Sequence, residues 1–193
     1  MTIKPNKKAS LTDLIEIWNV GFNLNLLLSG KLKNIIEKYI DKKKGEFINC
    51  PIIKDGIEYT DYWLFNGYNF NQEYIDFQNS LIKYEKQADD FETSYNTKMI
   101  FLSVNSLEEF EKYVDVAKEK AEIITIEKLT LKENSIPDEF FMLRYVFSGI
   151  YFISEKLKKE IEDAGCTGIE FQPSYLSLNE WLHNEREKVY GKA

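Results

Sequence analysis

The chain has 193 residues, of which 44% are hydrophobic and 30% are charged, and a globule of this size needs no disulfide or structural metal to hold a core. Its net charge of −7 is unevenly spread: residues 1–44 hold nine lysines and four acids, and residues 45–193 hold 16 basic and 28 acidic residues. The acidic body disfavours a nucleic-acid partner, which needs clustered Lys and Arg, and no apolar run is long enough to cross a bilayer, so we expect a cytoplasmic protein.

Residues 1–45 are predicted to form a helical N-terminal segment. Ser10 to Asp13 are typical of a helix-capping box. The helical face that would follow consists of Leu11, Leu14, Ile15 and Trp18. A second helix is predicted to begin at Ser29. Its apolar stripe consists of Leu32, Ile35, Ile36, Tyr39 and Ile40, and three lysines before Gly45 suit its C-terminal end.

Short strands dominate the sequence from Phe47 onward. Strand-like runs occur at residues 47–53, 57–66, 81–84, 98–104 and 123–131. The Asp55-Gly56 pair predicts a tight hairpin turn between the first two runs. Residues 85–96 are polar and are predicted to form a surface loop or a short helix. A capping box that begins at Ser106 predicts a helix. Its inward face consists of Leu107, Phe110, Val114, Ala117 and Ala121.

The stretch from Phe140 to Pro173 is predicted to be a strand, a helix and a second strand. The apolar run Phe140–Ile153 is the first strand, and Gly168–Phe171 is the second. Between them, Ser154 is the expected N-cap and Gly165 the expected stop of the helix. Its buried face consists of Leu157, Ile161 and Ala164.

A last helix is predicted after the capping box that begins at Ser177. Its inward side chains are Leu178, Trp181, Leu182 and Val189. Tight turns are common and helical crossovers between strands are rare. The sequence therefore predicts an α+β fold with a largely antiparallel sheet and packed helices, in which residues 46–193 form one compact unit.

The sequence contains no arrangement typical of a catalytic or metal site. His183 is the only histidine, and it lacks both ligand-spaced neighbours and a Gly-x-Ser-x-Gly elbow. Cys50 and Cys166 are far apart and are interpreted as small buried side chains. The loop from Gly165 to Gly168 is too short for a phosphate-binding loop and has no lysine. We therefore expect no catalytic residue, no bound metal and no cofactor.

Acidic residues beside aromatic ones indicate instead a surface that binds protein. Tyr and Trp next to charge are common interface anchors. The candidate contact residues are Asp61, Tyr62, Trp63, Asp89, Asp90, Glu92 and Tyr95. A basic protein is the expected partner, because opposite fields speed encounter. The alternative is that the negative charge only keeps the protein soluble.

Four pieces of the sequence carry a resemblance to a known family. They are Tyr59–Asn66, Ile75-Asp76, Phe140–Arg144 and Ser154–Pro173, the last of which contains SEKL followed by GCTGIEF. Together they resemble the immunity proteins of bacterial polymorphic toxin systems, in particular the family numbered eleven. The likeness covers residues 57–173, and its most specific residues are structural: a helix cap, an apolar helix face and two turn glycines.

The resemblance implies a cytoplasmic antidote that binds a cognate toxin domain and blocks it without chemistry. Some relatives carry paired CxxCG motifs, which are absent from this sequence, so it does not imply a metal site. Two alternatives stay open. One is an enzyme that uses Asp and Glu, and the other is a regulatory or scaffold module that forms homo-oligomers through the helices of residues 1–45.

Overall fold

The structure is a computed structural model that describes residues 2–5, 9–15, 17, 25–87, 97–132 and 136–192. The chain divides into two compact units, neither of which is a single stretch of sequence. The first unit contains Met1–Phe70, Asp138–Met142 and Tyr151–Phe171. The second contains Asn71–Pro137, Leu143–Ile150 and Gln172–Ala193. Residues on both sides of the predicted boundary at residue 45 therefore belong to the first unit.

Short strands and short helices make up both units. In chain order they are β1 (Leu14–Ile15), β2 (Asn25–Ser29), α1 (Gly30–Ile36), β3 (Gly45–Asn49), β4 (Ile52–Lys54), β5 (Ile57–Tyr59), β6 (Tyr62–Gly67), β7 (Leu81–Gln87), β8 (Thr97–Leu102), α2 (Leu107–Glu119), β9 (Ile123–Lys128), β10 (Phe140–Met142), β11 (Tyr151–Ile153), α3 (Glu155–Asp163), α4 (Leu178–Glu180) and α5 (Arg186–Tyr190). Short 3-10 turns follow α1 and precede β7, and a π-helical turn, Trp181–Glu185, joins α4 to α5. The predicted α+β class and its antiparallel sheets are confirmed.

The first unit is built on a four-stranded antiparallel sheet with the strand order β1-β2-β6-β3. One face of the sheet packs on a buried cluster that includes Leu27, Leu64 and Cys50. On the opposite face the ring of Phe65 contacts that of Phe140 edge-on, with centroids 5.5 Å apart. Because both faces are covered, β2 and β6 read as nearly continuous apolar runs rather than alternating ones.

The N-terminal helical appendage is not confirmed. Leu14–Ile15 forms a strand that pairs with β2, and β2 itself lies between β1 and β6 in the sheet. In so short a segment, pairing with a neighbouring strand outweighs the helical spacing of the apolar residues. The helix predicted at Ser29 is confirmed, since the Ser29 side chain accepts a hydrogen bond from the Leu32 amide at 3.2 Å. Trp18 lies outside the described residues.

Each of the two predicted strands, residues 47–53 and 57–66, is interrupted once. Cys50 and Pro51 separate β3 from β4, and Thr60 and Asp61 separate β5 from β6. The proline explains the first interruption, because it lacks the amide that a continuous strand would need. The Asp55-Gly56 hairpin turn between β4 and β5 is confirmed, and both of its residues have positive φ, 52° and 79°.

The second unit contains a three-stranded antiparallel sheet with the order β8-β7-β9. One of its faces is buried, and the side chains there include Ile82, Tyr84, Ile124 and Ile126. The helix α2 packs against β9 and buries Phe110, Val114 and Ala117, as predicted. Its N-cap is Ser106, which accepts from the Glu109 amide at 3.2 Å.

The predicted strand from Phe140 to Ile153 is wrong. Its two ends form the antiparallel hairpin β10–β11, in which Phe140 pairs with Ile153. The residues between them contain Tyr145, whose φ of 65° is incompatible with a continuous strand. The helix α3 is confirmed, with Ser154 as its cap and Gly165 just past its end at φ 61°. The second predicted strand, Gly168–Phe171, has no regular structure.

The capping box at Ser177 is confirmed. Trp181 is buried as predicted, but Leu182 and Val189 are exposed. The π-helical turn inserts an extra residue, which rotates the later side chains away from the predicted face. No helix in the described part of the chain is long and apolar enough to cross a membrane.

Candidate partner-binding surface

The side chains considered for chemistry are His183, Cys50 and Cys166. Among the described residues, no group of three or more His, Cys, Asp or Glu side chains is placed to bind a metal. His183 is exposed in the π-helical turn. Cys50 is buried, Cys166 is half-buried, and both are free thiols. Burial raises the pKa of both thiols, which makes them less reactive than exposed cysteines.

Asp61 and Trp63 lie together at the N-terminal end of β6. The indole Nε1 of Trp63 donates to Asp61 Oδ1 at 3.1 Å. The Nζ of Lys33 lies 4.9 Å from the centroid of the Trp63 ring and 2.5 Å from Glu37 Oε2. Asp61 is exposed and Trp63 is half-buried. This cluster therefore offers a partner an acid and an indole, with a lysine already neutralised by a glutamate.

A third sequence candidate, Tyr62, is not part of this cluster. Tyr62 is buried on the opposite face of the strand, where its hydroxyl donates to the carbonyl of Thr12 at 3.1 Å. Because its side chain belongs to the core, Tyr62 does not fit the contact role given to it. The remaining four, Asp89, Asp90, Glu92 and Tyr95, lie outside the described residues. They belong to the connection between the antiparallel neighbours β7 and β8.

The outward side of α2 is acidic. Its exposed acids are Glu108, Glu111, Asp115 and Glu119. Lys112 pairs with Glu108 at 2.8 Å, and that hydrogen bond lowers the pKa of the carboxyl group. Lys118 lies 3.4 Å from Asp115. Such exposed pairs contribute little stability, so this side of the helix is a solvated charged face.

The sheet of the second unit exposes large apolar side chains on the face opposite its buried one. Met99 and Phe101 of β8 are 65% and 62% exposed, Ile123 of β9 is 57% exposed, and Phe147 is 46% exposed. In the register of the sheet, Met99 and Ile123 flank Glu85 from both sides, and Phe101 lies opposite Lys83. The solvated face of an antiparallel sheet is normally polar, so this face is unusual.

Charged side chains occupy the middle of this face. Lys83 Nζ lies 3.0 Å from Glu85 Oε1, 3.3 Å from Glu127 Oε2 and 5.2 Å from the centroid of the Phe147 ring. The hydrogen bond to Glu85, and after it the one to Glu127, raises the pKa of Lys83 despite partial burial. Two carboxylates and one ammonium leave one negative charge in excess. We call the face formed by Lys83, Glu85, Met99, Phe101, Ile123 and Phe147 the outer sheet face.

The sequence did not reveal the outer sheet face. The run KMIFLSV is apolar on both sides of the strand, so alternation cannot show which residues point outward. The strand β7 was predicted to end at Tyr84, and Glu85 was assigned to a loop. The register of β7 with β8 and β9 brings these side chains together.

Comparison with known proteins assigns the chain to a family. The family model for the immunity protein family Imm11 matches residues 1–175. The chain belongs to the Imm11 family. Membership implies an immunity role in which a toxin is neutralised. The match includes residues 1–45, which the resemblance in the sequence did not cover. None of the curated proteins compared with the chain matches it.

The residues by which the sequence resembled Imm11 proteins have structural roles. Ser154 caps α3, and Leu157 and Ile161 are buried beneath it. Gly168 has φ 79°, and a Cβ at this position would lie 2.5 Å from the carbonyl oxygen of Leu14. Ser154, Leu157, Ile161 and Gly168 therefore help to form the scaffold of the first unit.

Proposed function

We propose that this Imm11 protein acts in the cytoplasm, where it binds a cognate toxin domain and blocks it without catalysing a reaction. The observation that carries the proposal is the family match over residues 1–175, which spans most of both units. The partner is a protein, and the complex forms by surface complementarity rather than through a cofactor.

An acidic exterior is the proposed means of recognition. The exposed acids of α2 and the exposed Asp61 beside Trp63 support this proposal. The segment that contains Asp89, Asp90, Glu92 and Tyr95 adds three acids and an aromatic ring to the proposed contacts. A toxin with a basic face, such as one that handles nucleic acid, has the matching charge.

The alternative of an oligomerising N-terminal module loses support. Residues 25–29 form β2, which is hydrogen-bonded to strands on both of its sides. Removal of residues 1–45 would therefore open the sheet of the first unit rather than detach a separate module.

Growth rescue in a bacterial host tests the proposal. A toxin domain identified in the genome beside this chain's gene is expressed alone and together with the full chain. We expect growth only when both are present, and we expect the purified pair to bind less tightly as salt concentration rises. If the toxin stops growth whether or not this chain is present, the proposed function is wrong.

Charge reversal on α2 tests the acidic surface separately. Glu111→Lys changes an exposed acid in the acidic row of α2, and Glu162→Lys is the matched control on α3. We expect the first change to slow association with the toxin domain about tenfold or more at low salt, and the second to leave it unchanged. Equal association rates for both variants would exclude the α2 row from the contact.

A further inference from the structure

We infer that the outer sheet face is where the toxin domain docks, and that the docking patch of the toxin is apolar and carries one arginine or lysine. The inference rests on the proposed function and specifies its contact surface. The outer sheet face and the acidic exterior contribute to different rate constants. Long-range charge raises the association rate, whereas a desolvated apolar patch lowers the dissociation rate.

In the free chain, the outer sheet face exposes apolar side chains of the kind that a partner covers in a complex. Its four apolar side chains come from two strands of the sheet and from the chain segment beside β9. Contiguous exposed apolar patches of this kind mark interaction sites or aggregation hazards in proteins. Aromatic and methionine side chains are also the types enriched at interface centres.

The two outer edges of this sheet differ in whether another segment is hydrogen-bonded to them. The outer edge of β9 is closed, because the Ile126 amide donates to the Tyr145 carbonyl at 2.6 Å and the Phe147 amide donates to the Ile126 carbonyl at 3.0 Å. The strand β8, which carries Met99 and Phe101, has β7 as its only strand partner within the described ranges. An uncovered apolar edge strand is a liability that native proteins normally avoid, and a bound partner would remove it.

The charge of the face selects the partner's chemistry. Lys83 neutralises only one of the two carboxylates beside it. Glu85 is flanked by Met99 and Ile123, so any partner that covers these side chains also desolvates the excess charge. Burial of an unpaired carboxylate is unfavourable. A guanidinium or ammonium group from the partner, placed beside Glu85, neutralises that charge, and a guanidinium can also stack on the exposed Phe101 ring.

A second copy of this chain is a poorer match. In a symmetric dimer the same patch meets itself, so each copy would bring one excess negative charge to the interface. Two such charges repel each other at the site where water is excluded. A basic partner has the opposite sign, and we therefore assign the face to the toxin.

Two pairs of substitutions test the apolar part of the inference. Met99→Ser with Phe101→Ser removes the β8 side chains from the face, and Ile57→Ser with Tyr175→Ser removes two side chains of comparable exposure elsewhere. The probe is the inactivated toxin domain encoded beside this chain's gene, and binding to the full chain is measured by titration calorimetry. We expect the first pair to raise Kd about 30-fold or more, as loss of an interface centre does, and the control pair to change it less than about threefold.

Glu85→Gln tests the charge. We expect it to weaken binding about tenfold and to reduce the dependence of Kd on salt, because the partner's cation loses its counter-charge. Thermal unfolding of all variants is followed by circular dichroism, and the exposed positions of the serine substitutions should leave the midpoint within about 2 °C of the unchanged protein.

The outcomes separate the inference from the function on which it rests. If the unchanged protein binds the toxin domain and the Met99/Phe101 pair binds equally well, the docking face is wrong and the proposed function stands. If the unchanged protein does not bind, both are wrong. If light scattering shows a dimer that the Met99/Phe101 pair converts to monomer, the face is occupied by a second copy and the inference is wrong.

Discussion

Asp13 and Thr167 are joined by three hydrogen bonds across 154 positions of sequence: Asp13 Oδ2 accepts from the Thr167 amide at 2.8 Å and from its hydroxyl at 3.0 Å, and the Asp13 amide donates to Thr167 Oγ1 at 3.3 Å. The other carboxylate oxygen accepts from the Ser29 hydroxyl at 2.6 Å, and Lys31 Nζ lies 3.1 Å from Oδ2. Burial raises the pKa of Asp13, but the bonds from Ser29, Thr167 and Lys31 outweigh it and lower the pKa. One carboxylate therefore holds β1, α1 and the loop after α3 in place.

Asp13→Asn should destabilise the protein. The amide group of asparagine cannot accept from all of these donors, and the donors that remain lose their charged acceptor. We expect a loss of about 1–3 kcal/mol in the free energy of unfolding, measured by urea denaturation at pH 7. Asp163→Asn is the control, because Asp163 is exposed and forms an exposed ion pair with Lys159, and its effect should stay below about 0.5 kcal/mol. Equal losses would contradict the role assigned to Asp13.

Glu180 should make stability depend on pH in acid. Hydrogen bonds from the Ser177 amide, from Lys128 and from the Ser177 hydroxyl lower the pKa of Glu180 from 4.5 to about 2. A lowered pKa means that the contribution is present above pH 4.5 and is lost as the pH falls toward 2. Glu180→Gln removes this contribution. The urea midpoint of this variant should therefore fall below that of the unchanged protein by the largest amount near neutral pH, and the difference should shrink between pH 4.5 and 2. A difference that does not change with pH would disprove the assignment.

Leu157→Ala tests whether α3 is docked. Leu157 is fully buried, so its truncation leaves a cavity and should lower the free energy of unfolding by about 2–5 kcal/mol. Leu182→Ala is the matched control on an exposed helical leucine, and we expect less than about 1 kcal/mol there. A loss below about 0.5 kcal/mol for Leu157→Ala would mean that the helix does not pack as described.

Comparing Gly168→Ala with Gly56→Ala separates two causes of lost stability, the strain of an alanine at positive φ and the close contact of its Cβ with neighbouring atoms. Both glycines have φ 79°, but a Cβ at Gly168 would meet Leu14 and Thr12, whereas a Cβ at Gly56 meets nothing within 4 Å. The Gly56 change should therefore cost about 1 kcal/mol from its conformation alone. The Gly168 change should cost clearly more, since the carbonyl of Leu14 must also move. Denaturation of the two variants side by side measures the difference, and equal losses would argue against the close approach.

Four helix starts were predictable because their signals are local, although the similar signal at Ser10 to Asp13 precedes the strand β1 instead. Ser29, Ser106, Ser154 and Ser177 each cap the helix that follows, and each cap bonds an amide three residues along the chain. Such contacts need no information from distant parts of the sequence. The Asp55-Gly56 turn was predictable for the same reason.

The sequence did not show which apolar runs form strands or which side chains meet on the surface of the sheet, because both depend on residues that are distant in the sequence. Leu14–Ile15 is a strand because β2 lies beside it. The apolar run after Phe140 turns back within residues 143–150, where the Ser148-Gly149 pair is a turn signal that the prediction of a continuous strand passed over. The outer sheet face depends on the registers of three strands. Of the sequence candidates for partner binding, Asp61 and Trp63 lie together, while Tyr62 belongs to the core.

The first unit takes residues from both ends of the chain, since Met1–Phe70 is completed by Tyr151–Phe171. During synthesis, the early strands must wait for α3 and the loop that Asp13 binds. Because a compact unit folds only when its parts are all available, a ribosome must translate the message through Phe171 before this unit can close. Products terminated before that residue should give a cell no protection.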